Sequence, residues 1–231
     1  MVADNKHQAH PGEPRLPAAI AVLVAIALYA LLPGRLLIGP RYVVPLLELL
    51  LFIPLVSANP RRMTRQNKSL RRLSIGLVLL IAASNAVSLG LLIHRLVSGT
   101  SDGAILLVAA GQVWFTNVLM FALAYWELDR GGPIMRTQTA RPRLPAADFR
   151  FPQDEDHDAI VEVAKRSSAA ANWAPGFIDY FYVSVTNSSA FSPTDTMPLS
   201  PRAKLLMAIE SVSALVMSVL VIAYAVSQLG S

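Results

Sequence analysis

The chain has 231 residues, a formal net charge of +5 and a mean hydropathy of +0.47. Only 15% of its residues are charged, against about 25% in an ordinary soluble domain. It has no cysteine, which excludes disulfides, thiolate metal sites and cysteine nucleophiles. The basic surplus lies mainly in loops between apolar blocks, where membrane orientation explains it and nucleic acid is not implied as a partner.

The apolar blocks are too long and too uncharged for a soluble core. They predict an all-α polytopic transmembrane bundle of five or six spans with the lipid bilayer as its surroundings. Residues 1–15 read as a polar, disordered cytoplasmic tail and residues 16–127 as four transmembrane helices. The first runs from Leu16 to Leu32 and ends at Pro33-Gly34. It lacks a small-x-small cleavage site, so it reads as a retained span. The second, Tyr42 to Ser57, contains Pro45 and Pro54 and is short. The stretch 58–72 carries six Lys or Arg and no acid. The third span, Leu73 to Ile93, closes at His94-Arg95. The fourth, Ala104 to Trp126, ends in Tyr125-Trp126, placed as an interfacial aromatic anchor would be.

Residues 128–172 read as a polar cytoplasmic linker, with Arg130, Arg136, Arg141, Arg143 and Arg150 in its first part and a short surface helix over Ala159–Ala170. Residues 173–231 hold a short or re-entrant aromatic helix (173–192) and the last transmembrane helix, Arg202 to Leu229. Ser200-Pro201 reads as its N-cap and first turn. Six basic residues in 58–72 against one in 94–103 put the N-terminus in the cytoplasm. A full crossing by 173–192 gives six spans, and a re-entrant one gives five with the C-terminus outside.

A charge at the bilayer centre costs at least about 2.5–3.5 kcal/mol, so each one asks for a reason. Glu48 lies mid-way along the second span, Glu210 about 12–13 Å into the last at 1.5 Å per residue, and Asp179 near the start of the aromatic segment. No Lys or Arg sits at matching depth. Interior carboxylates without interior cations favour a monovalent cation or a proton as the transported partner. The alternative for each is a packing or capping role. Asn85 in the third span and Gln112 and Asn117 in the fourth read as interhelix polar contacts. Ala86 and Gly90 stand in a small-xxx-small relation that permits close helix approach. No histidine falls within a span, and neither HExxH, GxSxG nor a P-loop occurs, so no enzyme and no cofactor is expected.

The C-terminal quarter, with Tyr180–Tyr182 ahead of Ser184 and Thr186, Asn187 to Asp195, Pro198-Leu199 and the long last span, resembles the pore helix, filter and inner helix of potassium channels. The glycines of that filter, which permit its backbone angles, are missing from Asn187-Ser188-Ser189-Ala190-Phe191-Ser192, so potassium selectivity is not carried over. Over most of its length the chain is similar to an uncharacterised family of bacterial multi-pass inner-membrane proteins. The likeness lies in Tyr125-Trp126 with Gly131-Gly132, Phe151-Pro152 through Asp156, Asp179 to Tyr182, and Ser192-Pro193-Thr194-Asp195. That resemblance implies an inner-membrane location and no activity. The function expected first is a cation or proton permeation pathway through Glu48, Asp179 and Glu210, with Asn187 to Asp195 as its mouth, in a homo-oligomer. A scaffold or partner subunit and a small-solute transporter are the alternatives.

Overall fold

The computed structural model describes residues 11–37, 39–65, 67–98, 103–155, 161–189 and 195–229. Most of them are helical. Helices α1 (Leu16–Leu31), α2 (Val43–Ala58), α3 (Lys68–Val97) and α4 (Gly103–Leu128) follow the four apolar blocks. Each start has a local cause. Pro17 sits in the first turn of α1, where its missing N–H costs nothing. Asn67 caps α3 by accepting from the Leu70 amide at 2.8 Å. Beyond α4 come the short helices α5 (Pro133–Gln138), α6 (Val161–Ala164) and α7 (Ser168–Ala171). Then come α8 (Phe177–Ser189) and α9 (Pro201–Leu229). Ser200 caps α9 by accepting from the Ala203 amide at 3.1 Å, as the Ser-Pro pair predicts.

By length and composition α3, α4 and α9 are each long and apolar enough to cross a membrane, and α1 and α2 are shorter apolar helices. α4 is the axis, with α1, α3, α8 and α9 packed around it. Every residue from Thr116 to Glu127 is buried. A helix apolar all round needs neighbours all round, and these four helices supply them. α1, α2, α3 and α4 form one half of the bundle, and α8 and α9 close the other side of α4.

One end of the bundle, which we term the linker end, is tied by two antiparallel two-residue strand pairs. β1 (Glu13–Pro14) pairs with β2 (Arg62–Met63), and β3 (Phe149–Arg150) pairs with β4 (Met197–Pro198). Residues 13–15 are therefore ordered, unlike the disordered tail predicted, because Glu13 is drawn inward by three donors. These are the Trp126 indole N–H (2.8 Å), the Phe177 amide (2.6 Å) and the Arg136 guanidinium (3.0 Å). Burial pushes the Glu13 carboxyl above its usual range, and the charge of Arg136 and the three hydrogen bonds pull it back. Arg136 also lies 4.9 Å above the Tyr180 ring. Asp129, fully buried, accepts from the Tyr180 hydroxyl (2.5 Å) and the Asp148 amide (2.7 Å). Phe149 and Phe151 pack edge-on against Tyr180.

The loop 58–67 folds around Asn59, whose amide spans the Thr64 and Arg65 amides and the Arg65 carbonyl. Three sequence expectations change here. Tyr125 and Trp126 point inward to Glu210 and Glu13 instead of anchoring an interface, because each polar tip has a buried carboxylate to bond. The surface helix over 159–170 is interrupted at Lys165–Ser167, and its first residues lie outside those described. Ala86 and Gly90 are exposed, and a methyl added at Gly90 would meet nothing within 4 Å. The small-residue face is thus not a packing face within this chain.

α8 begins at the linker end, with the Phe177 amide on Glu13. α9 begins there too: Asp148 accepts from Ser200 Oγ (2.5 Å) and from Arg202 Nε (2.7 Å) and Nη2 (2.5 Å). Both helices run from that end alongside α4. Met197, paired with Arg150 of β3, lies at the end from which α8 starts.

Gly132 has φ +95°, and a Cβ there would collide with the Arg71 guanidinium, which pairs with Glu127. Gly132→Ala is expected to cost about 2–4 kcal/mol through backbone strain and a displaced ion pair, whereas Gly90→Ala is expected to be neutral or stabilising. Thermal melts of the two variants in detergent check this.

Candidate functional site

Glu210 lies on α9, nine residues beyond Pro201, and is fully buried. Four side chains surround its carboxyl. Tyr125 of α4 donates to Oε2 at 2.5 Å and Asn187 of α8 at 2.7 Å. Ser188 of α8 donates to Oε1 at 3.0 Å, and Ser184 is hydrogen-bonded to the same oxygen. Ser184, Asn187 and Ser188 share a face because residues three and four apart on a helix are neighbours. Asn187 is held in turn, donating to the Met207 carbonyl (3.0 Å) and accepting from Ser211 Oγ (2.9 Å).

Ser184 decides what this site does chemically. Its hydroxyl lies between two acceptors, Glu210 Oε1 and the Val118 carbonyl (2.8 Å), and it has one hydrogen. With Glu210 ionised, that hydrogen satisfies the carboxylate. With Glu210 protonated on Oε1, the carboxyl donates to Ser184, whose hydrogen turns to Val118. Both protonation states therefore find partners with no rearrangement beyond a hydroxyl rotation. Among the described residues no Arg or Lys pairs with Glu210.

From Glu210 a polar string crosses the bundle. Ser213 Oγ donates to the Glu210 carbonyl (2.9 Å) and accepts from Asn117 Nδ2 (3.3 Å). Asn117 Oδ1 accepts from Asn85 Nδ2 (3.2 Å). Asn85 and Asn117 thus make the interhelix contact their sequence positions suggest. Gln112 does not: its side chain makes no interhelix hydrogen bond among the described residues, and Thr116 bonds back to the Gln112 carbonyl at 2.8 Å.

The other carboxylates are not gathered here. Glu48 is buried on α2, on the far side of α3, with Oε1 3.5 Å from Ser84 Oγ and Oε2 without a partner among the described residues. Ser84 is the sequence neighbour of Asn85 but bonds the Ile81 carbonyl at 3.0 Å, so the string is weak at that step. Asp179 is half-buried at the linker end and accepts from the Gly176 amide at 2.7 Å, which is a helix cap. Asp195 is exposed, and 190–194, the rest of the predicted mouth, lie outside the described residues. Sequence reasoning missed the roles of Tyr125 and Ser188 at Glu210, and of Glu13, Asp129 and Asp148 at the linker end. The one available signal was Glu13 lying three residues ahead of the first apolar block.

No family model, no curated protein and no solved structure matches the chain.

The Asn85–Asn117 bond should be visible in a double-mutant cycle. Unfolding of the Asn85→Ala, Asn117→Ala and double variants is expected to give a coupling of about 0.6 kcal/mol, as interhelix polar pairs in membranes do. The Gln112→Ala and Asn117→Ala pair is expected to couple near zero.

Proposed function

We propose that the chain is an integral membrane protein with five crossings (α1, α2, α3, α4 and α9). In this reading α8 is a re-entrant helix, and Glu210 exchanges a proton or a monovalent cation in a permeation pathway. The single observation that carries the reading is the Ser184 hydroxyl shared between Glu210 and Val118, which suits a carboxyl that gains and loses a proton inside an apolar bundle. Helix length supports α3, α4 and α9 as crossings, and α1 and α2, shorter than the core, are added for their apolar composition. At 1.5 Å per residue, α3, α4 and α9 are about 40 Å or more and α1 and α2 about 24 Å, against a hydrocarbon core of about 30 Å. α8, about 20 Å long by the same rise, is too short to cross, and the chain is back at the linker end by Met197. The arginine-rich 58–72 loop puts that end in the cytoplasm, so the C-terminus lies outside. The bacterial inner membrane is proposed from the family resemblance.

A second reading has its own observation. The polar string runs across the bundle, from α3 through α4 to α9, and beyond Ser213 the α9 face meets Val113 and carries Met217 and Tyr224 in an apolar cluster. Such a string welds helices together, and the chain is then a scaffold.

Topology is tested first. The chain lacks cysteine, so single cysteines at Arg65, Ser98 and Asp195, all exposed, can be probed with an impermeant maleimide. Five crossings require Ser98→Cys to label in intact spheroplasts and the other two only after permeabilisation. Labelling of Asp195→Cys from outside would restore the sixth crossing. Activity is tested in proteoliposomes carrying a pH-sensitive dye under an imposed potential, with sodium flux measured in parallel. The wild type is expected to conduct one of the two ions and Glu210→Gln to conduct at least ten-fold less while still folding. If wild-type liposomes are no leakier than empty ones and Glu210→Gln loses its fold, the scaffold reading stands instead.

A further inference from the structure

A cavity of about 60 Å³ lies at the linker end among α1, α2, α3 and α4. That is several times the 10–15 Å³ that one water needs. Each of three wall helices turns from polar to apolar in the same direction. Arg15 precedes Val22 on α1, Arg71 precedes Leu77 on α3, and Glu127 follows Leu123 on α4. The cavity is therefore charged toward the linker end and apolar deeper in, the polarity of a lipid in the leaflet on that side.

The charges do not balance. Both Glu127 oxygens are taken, Oε1 by Arg71 and Oε2 by Ser74 at 2.8 Å. Arg15 is left with attraction to Glu127 and no hydrogen bond to it, and its buried Nε has no partner among the described residues. A buried guanidinium N–H without an acceptor is costly, and an oxyanion would relieve it. Two guanidinium groups against one carboxylate leave a charge of +1 to neutralise. Ala19 and Val78 are half-buried apolar residues of its wall.

We infer that this cavity binds the phosphate head of an anionic phospholipid, with Arg15 as the phosphate ligand and the lipid's first carbons along Ala19 and Val22. Its size admits a head group and not a chain, so the acyl tails run outside, between helices. The inference rests on the membrane reading above but not on Glu210. A chain that stays monodisperse without detergent or lipid would end the membrane reading by a route separate from the one below.

The test is native mass spectrometry and thermal melting of the delipidated full chain with phosphatidylglycerol, phosphatidylcholine or inorganic phosphate. Phosphatidylglycerol is expected to bind at least five-fold tighter than phosphatidylcholine and to raise the melting temperature, with phosphate alone doing neither. Arg15→Gln is expected to lose that preference, and Arg72→Gln, which removes an exposed charge from the same end, to keep it. Ala19→Phe, which leaves both arginines and fills the cavity from its wall, should also lose it and carries the test if Arg15→Gln does not fold. Equal loss in Arg15→Gln and Arg72→Gln, equal binding of both lipids, or phosphate binding as well as phosphatidylglycerol would each overturn the inference.

Discussion

A helix that stops in the middle of a bundle must find partners there for the polar groups at its end, and in this protein Glu210 meets that need. α8 is only thirteen residues long and its last two turns carry Ser184, Asn187 and Ser188 inward. Without a carboxylate on α9, Ser188 would lose its acceptor, and Ser184 and Asn187 would keep only the Val118 and Met207 carbonyls, at a cost in buried, under-satisfied polar groups. Without α8, Glu210 would keep only Tyr125. Each makes the other tolerable, and the side chains that hold the helix also surround a buried carboxyl within the bundle.

The linker end applies the same logic to the other terminus of α8. Glu13 receives the Phe177 amide, Asp129 receives the Tyr180 hydroxyl, and Asp148 holds Ser200 and Arg202 at the head of α9. Three acids from distant parts of the chain thus fix where α8 enters and where α9 starts. Each has its lone pairs aimed at several donors, which is what makes a buried carboxylate bearable. The arginines of 128–172 are in part structural for this reason. Arg130 bonds Asp154 and the Phe149 carbonyl, and Arg136 bonds Glu13 and the Trp126 carbonyl, so these arginines build the cap of the linker end.

The proposed proton exchange and helix locking would be two uses of one arrangement. A carboxyl surrounded by hydroxyls, each free to rotate, presents donors or acceptors as its own protonation requires. The same carboxyl fixed by an amide and a tyrosine is a rivet. Asn187 and Tyr125 supply the second quality, Ser184 and Ser188 the first.

The helices were legible because burying backbone in an apolar medium demands long runs of apolar residues, and such runs are written locally: α1 to α4 and α9 begin and end within a few residues of the blocks that predict them. Asn85 and Asn117 were legible as interhelix amides for the same reason, being isolated polar groups in those runs. Which carboxylates would share a site was not. Asp179 and Glu48 look as interior as Glu210 in one dimension, yet one caps its own helix and the other faces α3 across the bundle. Partner choice depends on which faces meet, and that is set by packing around α4 over separations of 85 residues for Tyr125 and Glu210. The inward turn of Tyr125 and Trp126 and the start of both α8 and α9 at one end were likewise decided only when the chain closed on itself. Hydropathy measures how greasy a segment is, and carries no record of what its polar atoms will reach.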